Sequence, residues 1–229
     1  MKPAMKSAWI ALFLVAWLGA CAAQAAQLRL TVLGADGKPA PDVAVQLQPT
    51  GIWASLPLPE PVLIVQQNIR FVPYVTVVPV GATVRFVNRD RFDHHVRSQP
   101  GGPLGNVAPV QQFEFRLAAV RGGREAPAAD VVLDTPGSIA LGCHLHGSMR
   151  GHLVVSATPW VAVSDAQGVA TLPGVPDGAV LVKLWHPDQL VDQPVTRLQT
   201  AGDTRAEASL NFSPRRRPAP STRGNDYTY

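Results

Sequence analysis

Two residues separate Cys143 from His146, and two more separate His146 from Met149, inside Gly142-Cys143-His144-Leu145-His146-Gly147-Ser148-Met149-Arg150-Gly151. A tight loop carrying that spacing can turn a thiolate, an imidazole and a thioether toward one point. Thiolate and imidazole alone suit zinc, whereas a thioether adds little to zinc and suits copper as a weak axial ligand. The cluster therefore predicts a soft-metal site that favours copper, and its fourth ligand has to come from elsewhere in the chain. Histidine is the expected donor, and Asp93-His94-His95-Val96 offers two. In an extended strand His94 and His95 point to opposite faces, so one of them binds and the register of that strand decides which.

The elements that must position these residues read as all-β. The 229 residues include 22 Pro and 19 Gly, and short Val-rich runs broken by turn residues replace helical periodicity after the first twenty-odd positions. Leu28 to Leu33 and Val43 to Leu47 predict two strands around the turn Asp36-Gly37-Lys38-Pro39, and a connector follows from Ile52 to Pro61. Val62 to Gln66, Ile69 to Phe71, Val75 to Val80 and Thr83 to Val87 are strand material. Val84 and Phe86 fall on one face of the last of these. Asn88-Arg89-Asp90 reads as a turn leading into His94. Phe113 to Leu117, Asp130 to Leu133 and Ser138 to Leu141 supply the strands that deliver Cys143. Phe113 and Phe115 are expected in the core.

The chain opens with Lys2 and Lys6, an apolar run from Ala8 to Leu18, and Ala23-Gln24-Ala25. This is the pattern of a secretory signal over residues 1–26, too short to span a bilayer. Leu18-Gly19-Ala20-Cys21 also fits a lipobox, in which Cys21 is lipidated, so a membrane attachment is expected only on that route. Cys21 and Cys143 are the two cysteines of the chain. Export leaves Cys143 as a lone thiol in an oxidising compartment, where a metal would cap it. Six of the 20 Lys and Arg lie in the signal or the last fifteen residues. Removing them, and Asp226 from the 16 acidic residues, leaves 14 basic against 15 acidic, so no basic face for nucleic acid is expected.

Phe71-Val72-Pro73, Gly81 to Asn88, His94-His95-Val96 and the cysteine loop together resemble the cupredoxins, Greek-key β-sandwich proteins with a type 1 (blue) copper ion. The loop spacing is most similar to the amicyanin kind, grouped with bacterial methylamine utilisation. The resemblance implies His94, Cys143, His146 and Met149 as copper ligands, with His95 beside them. It implies one-electron transfer rather than catalysis, and exit of the electron through His146 near Leu145 and Gly147. His144-Leu145 departs from the usual Thr-Pro. The implied partner is an unidentified periplasmic cytochrome or dehydrogenase. The alternative from the extra His95, His144 and His152 is a periplasmic protein that holds or delivers copper without redox cycling.

Val161 to Leu172 and Val180 to Pro187 resemble the second half of a carboxypeptidase-regulatory-like β-sandwich, and Leu28 to Leu47 its first half. The expected organisation is then a cupredoxin unit, 61–156, inserted into a second small sandwich made from 27–60 plus 157–213. His186 beside Trp185 is expected to be a corner residue of that sandwich. Residues 214–229, with Arg215-Arg216-Arg217, carry no apolar periodicity and read as a disordered basic tail.

Overall fold

A computed structural model describes residues 26–53, 56–122 and 125–215. The signal, Cys21 and all but the first two residues of the basic tail lie outside the described residues. Sixteen strands and no helix make up the described chain.

Two sandwiches, each with its own core, account for all sixteen. The inner one packs a five-stranded sheet, β5(Val75–Pro79), β11(Arg150–Ser156), β10(Gly137–Cys143), β7(His94–Gln99) and β8(Glu114–Leu117), on a four-stranded sheet. The latter runs β4(Phe71–Val72), β3(Val62–Gln66), β6(Thr83–Asn88) and β9(Ala128–Val132). Connections cross between the sheets, so β3 lies parallel to β6 and β5 parallel to β11. Along β6, Val84 and Phe86 are buried while Arg85 faces out, the two-residue alternation of a half-covered sheet. Ile64, Phe86, Val96, Leu133, Ile139, Leu141 and Leu153 fill the space between. Phe113 and Phe115 pack against that core, their rings 5.8 and 5.3 Å from Phe86.

The outer sandwich draws on both ends of the described chain. β1(Gln27–Leu33) lies between β13(Val169–Pro173) and β16(Thr204–Ser209), while β2(Ala44–Pro49) lies between β12(Val161–Val163) and β14(Gly178–Trp185), with β15(Thr196–Thr200) at the edge. Leu28, Leu30, Leu47, Trp160, Leu172 and Val180 form its core. A third, smaller cluster joins the two bodies: Ala44 of β2 meets Val75 and Val154 of the inner sheet, with Tyr74, Val163 and Trp185 around them. The Thr158 hydroxyl donates to the Leu47 carbonyl across 111 residues of sequence.

Ile69 departs from the strand expected over Ile69 to Phe71. It forms a two-residue turn with Asn68, both at positive φ (56° and 54°), and Gln67 and Arg70 exchange backbone hydrogen bonds across it. Such a turn matches the twist of the strands it joins, but a β-branched residue rarely tolerates that conformation. The reason it stands here lies in the loop beside the metal-ligand candidates.

Candidate metal centre

β7 and β10 run antiparallel, with Cys143 opposite Val96. That register brings His94, at the start of β7, beside Cys143, at the end of β10. The alternation of β7 turns His94 fully inward and leaves His95 half-exposed. Of the two histidines left open by the sequence, His94 is the one that meets the thiol.

The His94 Nδ1 lies 3.7 Å from the Cys143 Sγ, and the His146 Nδ1 lies 3.5 Å from it. The two imidazole rings are 4.8 Å apart. Two nitrogens and one sulfur therefore converge, with all three ligand atoms within 4.8 Å of one another. Bond lengths of 2.0–2.3 Å to a shared ion would place nitrogen and sulfur about 3.6 Å apart at trigonal to tetrahedral angles. The two nitrogen–sulfur separations match that value, so the cluster suits a transition-metal ion. Met149 is buried in the same core cluster as Cys143, at the foot of the loop, and its amide donates to the His146 carbonyl at 2.9 Å.

The surroundings favour the deprotonated thiol. Burial pushes the Cys143 thiol up, but hydrogen bonding to His94, to the His95 amide (3.4 Å) and to His146 outweighs it, and the pKa falls to about 6. Burial pushes His94 down, yet Asp90 and the Cys143 sulfur more than compensate and raise it to about 9. The same contacts thus favour the imidazolium form of His94 and the thiolate form of Cys143 over the neutral pair near neutral pH.

Asp90 is the residue that sequence reasoning passed over as part of a turn. Its Oδ2 lies 2.8 Å from the His94 Nε2, leaving Nδ1 free to face the sulfur. A carboxylate behind a ligating imidazole fixes its tautomer and raises its basicity. Asp90 also accepts the amides of Asn68 (2.6 Å) and Ile69 (3.0 Å), which is what the positive φ at both positions makes possible. Asn88 completes the bracket: its Oδ1 accepts the Asp90 amide, and its Nδ2 donates to the carbonyls of Phe92 and Ala118. Burial disfavours the Asp90 carboxylate, but the His94 and turn-amide hydrogen bonds prevail and keep its pKa below the usual value.

Phe92 lies 6.3 Å from the His94 ring and 5.9 Å from the His146 ring, with part of its surface in solvent. Leu145 is exposed next to the partly buried His146. The other histidines sit elsewhere. His152 meets the Tyr74 hydroxyl at 3.1 Å and faces Trp185, between the two sandwiches. His186 is buried, and its Nδ1 accepts the Asp188 amide at a corner of the outer sandwich. The His144 and His95 rings lie 4.9 Å apart, tilted by 43°, on the outer face of the inner sandwich.

No family model matches the chain, and no curated protein does. Solved structures share parts of it. A copper-containing nitrite reductase from Thermus scotoductus SA-01 is similar at 25% identity and a TM-score of 0.36, over 47% of this chain and 25% of the enzyme. An oxidised amicyanin variant is similar at 22% identity and a TM-score of 0.33, over 42% of this chain and 81% of amicyanin. A Cu(I) form of another amicyanin variant is similar at 18% identity and 0.32, over 48% and 97%. The chain thus spans a quarter of the length of the nitrite reductase.

Proposed function

We propose that this chain is an exported copper protein of the cupredoxin kind that carries single electrons in the periplasm. His94, Cys143 and His146 would hold one type 1 copper ion, with Met149 as the weaker fourth ligand. The observation that carries this reading is the convergence of two Nδ1 atoms on one buried thiol, 3.5 and 3.7 Å away.

Bound there, copper would supply a one-electron couple whose two oxidation states share a ligand geometry. The chain's residues supply the rest. Asp90 holds His94 in one tautomer, the His95 amide donates to the sulfur, and the packing around Cys143 and Met149 keeps water away. His146, the more accessible imidazole, with Leu145 beside it, offers the contact for a periplasmic cytochrome or dehydrogenase. Grouping with methylamine utilisation belongs to the same proposal, as does the export route through residues 1–26.

Copper(II) added to the mature chain should give an intense visible absorption from thiolate charge transfer, and Cys143→Ser should remove it. A colourless Cu(I) form that resists oxidation would overturn the reading. A second reading, copper storage or delivery without redox cycling, draws on His95 and His144, the chain neighbours of His94 and Cys143, while His152 lies away from them between the sandwiches. It predicts rapid copper loss to a chelator and no electron exchange with a reduced cytochrome.

A further inference from the structure

On the outer face of the same sheet, His95, Glu114 and His144 bring two imidazoles and a carboxylate together, with their ligand atoms within 4.8 Å of one another. The Glu114 Oε1 lies 2.7 Å from the His95 Nε2 and 3.3 Å from the His144 Nε2. We propose that these three residues form a second metal site, open to solvent, that takes a borderline divalent ion such as Zn(II).

The placement follows from strand alternation. His94 and Cys143 point into the sandwich, so their covalent neighbours His95 and His144 point out of it, and the His144 amide donates to the His95 carbonyl at 3.1 Å. Glu114 comes from the next strand, β8, two positions from the partner of His95. Two of the three ligands thus stand on paired strands, which fix ligand positions more tightly than loops do.

The donor set differs in kind from the buried one. It holds no sulfur, so it suits Zn(II) or Cu(II) and not Cu(I). Each residue is 32–52% exposed, and three protein ligands leave a position for water or for a ligand from a docked molecule. Arg116, the neighbouring cation on β8, is held by Asp93 at 2.9 Å and does not compete for Glu114. Arg97 stands opposite Glu114 in the strand register, and no ion pair joins the two among the described residues.

The test separates this site from the buried one. In a Cys143→Ser, His146→Ala chain, calorimetric titration with zinc chloride near pH 7.5 should show one ion bound per chain. Adding His144→Ala to that background should abolish the binding, and Glu114→Gln should weaken it at least tenfold, with the far-ultraviolet circular dichroism unchanged. As a second arm, the wild-type chain already carrying one copper should take up one further equivalent of zinc. Absence of zinc binding in both arms, or binding indifferent to His144→Ala, overturns the proposal. Because the readout is zinc stoichiometry, it succeeds or fails independently of whether the buried site is a redox centre.

Discussion

Cys143 and His94 exchange their usual protonation order, and the consequence is measurable before any metal is added. His94 is raised from 6.5 to about 9, so its contribution to stability is full below 6.5 and lost as pH rises through 9. Cys143 is lowered from 9.0 to about 6, so its contribution is full above 9 and lost as pH falls through 6. The two slopes oppose each other over the same interval. The metal-free protein should therefore show a thiolate ultraviolet absorbance with a midpoint near pH 6, while this pair adds almost no pH dependence to the unfolding midpoint. A thiolate transition near 9 would contradict it. Asp90 carries a second expectation. Asp90→Asn should reduce copper affinity about 10- to 100-fold, as loss of a hydrogen-bonded partner behind a ligating histidine does elsewhere. A competition titration against a chelator reads this directly. Asp90 could not be recognised from the sequence, since only the fold brings an aspartate in a turn to the far nitrogen of a histidine. The approach of His146 to Cys143 was legible because their relation is local, and Met149 was read with them from the same spacing. The choice of His94 over His95 needed the register of β7.

At the scale of elements, the inner sandwich depends on positions where side chains would not fit. Gly151 of β11 has no space for a Cβ, which would sit 2.9 Å from the Phe71 Cβ, a buried residue of the opposite sheet. Gly151→Ala should lower the unfolding free energy by about 1–3 kcal/mol, the usual range for overpacking a filled core. Urea denaturation would test this, with Gly147→Ala as a control, since nothing lies within 4 Å of a Cβ there. Most strands were legible from alternating or continuous apolar runs. β15 and β16 were not, because Thr196-Arg197-Leu198-Gln199-Thr200 and Thr204-Arg205-Ala206-Glu207-Ala208-Ser209 are polar segments whose outer faces meet solvent. Ile69 misled in the opposite sense: a β-branched residue favours strand, and the tertiary hydrogen bonds that the Asn68 and Ile69 amides donate to Asp90 override that preference.

For the whole molecule, the separation of the two large cores predicts what excision does. Every buried residue of the inner core lies between Ile64 and Val155, so a fragment covering 61–156 should fold and give the same visible absorption with added copper(II) as the full chain. It would also expose Val75 and Val154, which Ala44 and its neighbours now cover, and should self-associate on a sizing column more than the full chain does. The reverse deletion is harsher. Without β1 and β2, the outer sandwich loses an interior strand from each sheet, and no cooperative unfolding transition is expected from what remains.

The pairing of β1 with β16 carries a mechanical consequence. The two strands are parallel, in register from Leu28↔Thr204 to Leu33↔Ser209. Tension applied ahead of β1 and behind β16 therefore pulls them past each other, loading their ladder of hydrogen bonds all at once instead of one bond after another. Everything between them, including the site around Cys143, lies out of the line of pull until that ladder gives way. Stretched in this way, the molecule behaves like a locket on a clasp: the clasp bears the load and the contents feel none of it until it opens.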